Sequence, residues 1–120
     1  MPKKILVVDD SPTELKAMVG ALKVRDWQII TAIDGEEALE KSEKEHPDLL
    51  VLDIVLPKKN GFQVCRQLKT TPETKDIKVV LVSSKGQETD RFWGIKQGAD
   101  EYIVKPFKDD DLVAAVSRQL

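Results

Sequence analysis

Residues 4–12 read KILVVDDSP, an apolar run that ends in two adjacent carboxylates. The run at 5–8 is continuous and aliphatic, which is typical of a strand that is buried on both faces. Ser11, Pro12 and Glu14 then favour a helix start. Ser is a preferred N-cap, Pro suits the first helical position, and a glutamate three residues after the cap completes a capping box. Asp9 and Asp10 lie between the strand and the helix, where their like charges repel and call for a positive counter-charge. The stretch therefore predicts a buried strand, a charged turn and a helix.

The same order of strand and helix recurs four more times along the chain. Strands are predicted at Ile5–Val8, Gln28–Ala32, Leu49–Leu52, Ile77–Val82 and Tyr102–Val104. Helices are predicted at Pro12–Val24, Glu36–Glu45, Phe62–Lys69, Glu88–Gln97 and Asp110–Leu120. Strands that alternate with helices in this way predict an α/β fold, a doubly wound five-stranded parallel sheet with helices on both faces.

Composition indicates a soluble globular protein with a single domain, residues 1–120. Apolar residues make up 41% and charged residues 33% of the chain, which is enough for one core. A net charge of −2 gives no general attraction to nucleic acids or anionic membranes. Cys65 is the only cysteine, so no internal disulfide can form, and no apolar segment approaches the ~20 residues of a membrane span. We therefore expect a cytoplasmic monomer with no nucleic-acid or membrane partner.

Polar residues follow the predicted strands, at the edge where parallel sheets bind ligands. These residues are Asp9, Asp10, Asp34, Asp53, Ser83, Ser84, Lys105 and Pro106. Clustered carboxylates suit Mg²⁺ or Mn²⁺, and the cation would neutralise the paired acids. Asp53 could then act as a nucleophile toward a phosphoryl group, with Lys105 and Ser83 contacting phosphoryl oxygens. Any one of the acids could instead be a helix cap, but their shared position at strand ends favours a site.

Five segments carry a family resemblance. They are VVDDSP at 7–12, DGEEAL at 34–39, PDLLVLDIVLPKKNGF at 47–62, VVLVSS at 79–84 and GADEYIVKPF at 98–107. Together they resemble the receiver domains of response regulators, of the CheY-like kind, over residues 3–120. The resemblance implies a flavodoxin-like (βα)5 fold with strand order 2-1-3-4-5. It also implies a stand-alone switch of two-component signalling, not an enzyme that acts on an outside substrate.

The resemblance further implies a role for each residue at the strand ends. Asp53 would accept a phosphoryl group from a sensor histidine kinase. Asp10, Asp53 and the backbone carbonyl of Val55 would bind Mg²⁺ directly, and Asp9 would bind it through a water molecule. Lys105 would contact the phosphate.

Signal transmission, in the family that the chain resembles, uses a hydroxyl and an aromatic residue. Ser83 and Tyr102 match this switch pair, so on phosphorylation Ser83 would move toward the phosphoryl group and Tyr102 would turn inward behind it. The Lys105–Pro106 peptide bond matches one that is usually cis. The responsive surface would comprise the fourth helix, fifth strand and fifth helix, and would bind a downstream protein. Since the chain ends at Leu120, after the last predicted helix, we expect output through protein binding or through drainage of phosphate from a shared kinase.

Val55 and Lys85 match two places that flank the path of water toward the phosphate in the family. Val55 has no hydrogen-bonding group, and a charged lysine is a donor that cannot act as a base. We therefore expect the phosphate to be lost slowly. Ser84 is larger than the alanine usual at its place, and its hydroxyl is polar.

A finer resemblance concerns the fourth helix. Residues 87–94 and 96–99, with 10–14 and 61–63, are similar to single-domain regulators of type IV pilus motility. On the same helix, Phe92 is expected in the core beside Ile95, and Trp93 is expected to pack on the flank.

Three other functions stay open from the residues alone. A flavodoxin-like cofactor binder is disfavoured, because Asp9 and Asp10 would repel a phosphate in the first loop. A phosphatase with an aspartyl nucleophile usually needs a second acid two residues later, where Val55 stands. An adaptor that works without phosphorylation would bind neither metal nor phosphate.

Overall fold

The computed structural model of the chain describes residues 2–120. Its strands are β1 (Lys4–Val8), β2 (Gln28–Ala32), β3 (Leu49–Asp53), β4 (Lys78–Ser83) and β5 (Glu101–Val104). Its helices are α1 (Pro12–Leu22), α2 (Gly35–Glu45), α3 (Gly61–Thr70), α4 (Glu88–Lys96) and α5 (Asp109–Gln119). All strand pairs are parallel, in the order β2-β1-β3-β4-β5. The predicted fold is confirmed.

The sheet separates two apolar layers, because successive side chains of a strand point to opposite faces. Leu6 and Leu50 pack in the layer that includes residues of α2 and α3. Their neighbours Ile5 and Leu49 pack in the layer that includes residues of α1 and α5. Both faces of the central strands are buried, which explains why the sequence there is continuously apolar instead of alternating.

Capping residues mark three of the helix ends. Ser11 caps α1, where its Oγ accepts the Glu14 N–H at 3.3 Å, and Asp34 caps α2 in the same way. Gly98 follows the end of α4 with φ of 103°, a left-handed conformation that favours glycine. The prediction for the end of α1 was wrong by two residues: the helix stops at Leu22, and Val24 is 73% exposed.

The prediction that Phe92 and Ile95 lie in the core was wrong. Their side chains are 65% and 52% exposed, and Trp93 is half-exposed instead of packed on the flank. Gly94 faces the sheet instead, and an added Cβ there would lie 2.8 Å from Cδ2 of Tyr102. The Tyr102 ring fills the space beneath α4, so the helix turns its apolar residues outward.

Within residues 2–120, each helix is too short or too polar to cross a lipid bilayer.

Candidate functional site

A cleft of about 610 Å³ lies at the carboxyl edge of the sheet. Asp53 and Ser83 end β3 and β4, while Asp10 and Lys105 stand just beyond β1 and β5. Parallel strands end at one edge, so these four residues line a single cleft although they are far apart in sequence.

Three carboxylates cluster at the base of this cleft, and two of them, Asp10 and Asp53, line it. Oxygen atoms of Asp9, Asp10 and Asp53 lie within 4.8 Å of one another. Asp9 is fully buried, and its Oδ1 accepts the Ser11 N–H at 2.9 Å, while Asp10 is exposed. A compact set of oxygen ligands with one open side fits a small hard cation that keeps some of its water.

Lys105 is the only cationic side chain among the described residues that line the cleft. Its Nζ lies 3.1 Å from Asp9 Oδ2, 3.2 Å from Glu14 Oε1 and 3.7 Å from Asp53 Oδ2. Burial lowers the pKa of Lys105, but the hydrogen bond to Asp9 and the nearby negative charges outweigh burial, so the pKa stands above its ordinary value. The lysine therefore stays charged and partly neutralises the acids.

Asp53 is only 6% exposed at the floor of the cleft. Burial raises its pKa from 3.8 to about 6, the Lys105 charge opposes this rise, and the Asp9 charge adds to it. The protein alone therefore does not fully stabilise the negative charge of ionised Asp53. A bound cation would supply the missing positive charge and favour the ionised form.

Ser83 and Tyr102 are joined through the backbone of Lys85. The Oγ of Ser83 accepts the Lys85 N–H at 3.1 Å, and the Tyr102 hydroxyl donates to the Lys85 carbonyl at 2.6 Å. Burial raises the pKa of Tyr102, and the Arg91 guanidinium lies 5.8 Å from the ring centre. Tyr102 already points inward, whereas the sequence led us to expect inward rotation on phosphorylation.

The sequence also matches a known protein family. The family model described as "Response regulator receiver domain" matches residues 5–117. The chain belongs to this family.

Two relatives of the receiver domain differ in length. "Protein PilH" of Pseudomonas aeruginosa is 40% identical over 117 residues, which cover 98% of this chain and 97% of that protein. The alkaline phosphatase synthesis transcriptional regulatory protein PhoP of Bacillus subtilis is 42% identical over 97% of this chain, but over only 48% of its own length. The receiver domain thus spans nearly all of one relative and about half of the other.

A solved structure resembles the receiver domain over its whole length. The chemotaxis response regulator CheY4 of Vibrio cholerae superposes with a TM-score of 0.93 at 27% identity, with 100% of each chain covered. The strand order and the two-sided packing are therefore those of a known receiver fold.

Most residues named from the sequence converge in the receiver domain. Val55 and Ser84 also line the cleft, and the Lys105–Pro106 peptide bond is cis. Asp34 does not join the three carboxylates: it caps α2, and its Oδ2 lies 3.8 Å from Lys58 Nζ.

Glu14 is the site residue that sequence reasoning missed. The sequence assigned it to a capping box with Ser11, in which its carboxylate would accept the Ser11 N–H. The Asp9 carboxylate takes that N–H instead, and Glu14 contacts Lys105. An acid in the first turn of a helix that starts at the sheet edge is the signal that could have found it.

Proposed function

We propose that this receiver domain is a phosphorylation-activated switch that accepts a phosphoryl group on Asp53 from a sensor histidine kinase. The observation that carries the proposal is the nearly buried Asp53 carboxylate between two further acids and one lysine. A carboxylate in this position is shielded from bulk water and open to the cleft. It is therefore suited to attack phosphorus.

Asp10, Asp53 and the backbone carbonyl of Val55 would hold Mg²⁺, with Asp9 contacting it through water, and Mn²⁺ would substitute. The ion would supply positive charge for the carboxylates and the phosphoryl oxygens. The three carboxylates within 4.8 Å support this assignment, because they carry more negative charge than Lys105 can neutralise.

In the proposed transfer, a carboxylate oxygen of Asp53 bonds to phosphorus while the bond from phosphorus to the kinase imidazole nitrogen breaks. Lys105 Nζ, 3.7 Å from Asp53 Oδ2, is close enough to contact a phosphoryl oxygen. The Ser83 hydroxyl already accepts the Lys85 N–H, which leaves its proton free to donate to another oxygen. The protein would thus catalyse only its own phosphorylation and the later hydrolysis of the acyl phosphate, in which water attacks phosphorus and the bond to Asp53 breaks.

Intact mass spectrometry after incubation with acetyl phosphate and Mg²⁺ tests the phosphoacceptor. We expect the wild type to gain one phosphoryl group and Asp53→Asn to gain none. Asp26→Asn, which changes an exposed aspartate, is the matched control and should be labelled like the wild type. Equal labelling of Asp53→Asn would assign the phosphate to another residue.

The output surface that we propose comprises α4, β5 and α5. Its support is the exposure of Phe92, Trp93 and Ile95 on α4, since exposed apolar residues favour a protein partner. NMR spectra with and without beryllofluoride test this surface. We expect Ser83 to move and the amides of Arg91 and Ile95 to shift, with Tyr102 held in its inward position. Shifts confined to the metal-binding residues would contradict the proposal.

The phosphate is proposed to be long-lived. Val55 lines the cleft with an apolar side chain, so it cannot orient an attacking water. The backbone of Lys85 is held by Ser83 and Tyr102, and its charged side chain is a donor that cannot act as a base toward water. The combined variant Val55→Asn with Lys85→Glu should lose phosphate at least several-fold faster after donor removal. An unchanged decay rate would show that these side chains do not set the lifetime.

We propose control of pilus-based motility as the pathway. The support is 40% identity to PilH over nearly the whole of both chains, with the resemblance of the α4 region. Expression of this chain in a Pseudomonas aeruginosa strain that lacks PilH should restore the wild-type motility pattern, and Asp53→Asn should not. Failure of the wild-type chain at normal expression would argue for another pathway.

A further inference from the structure

The Glu14 carboxylate competes for the lysine that the proposed phosphate needs. Lys105 Nζ is 3.2 Å from Glu14 Oε1 but 3.7 Å from Asp53 Oδ2. The Lys105 side chain is only 15% exposed, whereas that of Glu14 is 50% exposed. The lysine is thus held in the cleft, and Glu14 is its more exposed partner on the solvent side.

The local structure of α1 explains why Glu14 is available for this contact. A glutamate three residues after a serine cap usually folds back onto the backbone N–H of that serine. Here the Asp9 carboxylate already accepts the Ser11 N–H at 2.9 Å. The Glu14 backbone remains fixed by its own N–H bond to Ser11 Oγ, so only its carboxylate is free to reach Lys105.

The negative charge of Glu14 should favour binding of a cation in the cleft and disfavour a phosphoryl group on Asp53. A cation in the cleft gains from the negative charge of Glu14 in addition to that of Asp9, Asp10 and Asp53. A phosphoryl group on Asp53 adds negative charge, is repelled by Glu14, and must share Lys105 with it.

We propose that Glu14 is a positioning residue that shares Lys105 with Asp9 and Asp53 and sets the affinities for the cation and the phosphoryl group in opposite directions. The inference rests on the proposed function. When Asp53 is phosphorylated, the phosphoryl oxygens compete with Glu14 for Lys105 and weaken the contact between Glu14 and Lys105.

Glu14→Gln separates the two effects, because it keeps the size of the side chain and removes its charge. NMR titration with Mg²⁺ alone should show about two- to fivefold weaker binding. Titration with beryllofluoride at saturating Mg²⁺ should show about fivefold tighter binding, which corresponds to the upper range for a partly exposed ion pair. Glu14→Asp, which keeps the charge on a shorter side chain, should retain the Mg²⁺ affinity.

Glu43→Gln, at an exposed acid on α2, is the matched control and should change neither affinity. If Glu14→Gln shifts both affinities in the same direction, the residue acts through general stability and the inference is wrong. If Glu14→Gln changes neither affinity, the contact between Glu14 and Lys105 is only a surface ion pair, and the inference is also wrong. If the wild type binds neither Mg²⁺ nor beryllofluoride, the proposed function fails and this inference fails with it.

Discussion

Replacing Asp53 by asparagine should stabilise this receiver domain at neutral pH, although it removes the proposed phosphoacceptor. The folded chain holds Asp53 in a cleft where burial raises the pKa from 3.8 to about 6. Ionisation of this carboxylate therefore costs more free energy in the folded state than in the unfolded state. Asparagine has nearly the same shape and no charge, so it avoids this cost.

The size and the pH window of the effect follow from these two pKa values. Below pH 3.8 both states bind the proton, and the cost is absent. As pH rises from 3.8 to about 6, only the folded state keeps the proton, so stability falls through this window and is constant above it. At ~1.4 kcal/mol for each tenfold change the full cost is about 3 kcal/mol. Solvent screening in the open cleft reduces our expected gain for Asp53→Asn to about 2 kcal/mol.

Urea unfolding at pH 7.5 and at pH 4, without divalent cations, measures this cost. The free energy of unfolding of Asp53→Asn should exceed that of the wild type at pH 7.5, and most of the difference should vanish at pH 4. Asp26→Asn should change little at either pH, since Asp26 is exposed. Added Mg²⁺ should raise the free energy of unfolding of the wild type more than that of Asp53→Asn. An ion stabilises a folded protein only by binding to it, and the variant lacks one of the proposed carboxylate ligands. A destabilised Asp53→Asn at pH 7.5, or a gain that does not depend on pH, would refute the reasoning.

Three further predictions concern groups outside the acidic cluster. Gly94→Ala puts a Cβ 2.8 Å from the Tyr102 ring and should shift the ring resonances in NMR spectra. In the control Gly20→Ala the new Cβ meets nothing within 4 Å, so the free energy of unfolding should rise by ~1 kcal/mol, a gain that Gly94→Ala should not show. A stabilised Gly94→Ala with unshifted Tyr102 resonances would contradict this packing. Tyr102→Phe removes the hydrogen bond to the Lys85 carbonyl and should lower the free energy of unfolding by about 1 kcal/mol in urea titrations; no loss would mean that the bond contributes nothing net. Cys65 is buried and burial raises its pKa to about 12, so it should react with a thiol reagent only after unfolding in urea, and rapid reaction of the folded protein would disprove its burial.

The fold and most of the proposed site could be predicted without coordinates. Continuous apolar runs indicated strands buried on both faces, and the Ser11 cap marked the start of the first helix. The parallel arrangement then placed Asp53 and Lys105 at one edge, because parallel strands end together. These inferences depend on short-range patterns and on one general rule of sheet topology.

The orientation of α4 could not be predicted, because its apolar residues do not form one clear stripe. Phe92 and Ile95 have helical spacing and seemed to be core residues. The side of the helix that faces the sheet is instead decided by the Tyr102 ring on β5, which leaves room only for Gly94. A residue distant in sequence thus overrode the local pattern.

The sequence by itself determined the order of strands and helices, the two-sided core and the position of Asp9, Asp10 and Asp53 at the sheet edge, since each depends on neighbouring residues and on backbone geometry. Only the tertiary structure decided how the polar groups at that edge pair with one another. Asp9 takes the N–H that Glu14 would otherwise bind, and Glu14 then contacts Lys105, which comes from the far end of the chain. The physical reason is competition: a donor or charge goes to the partner that the assembled fold places nearest, and sequence distance does not reveal that partner.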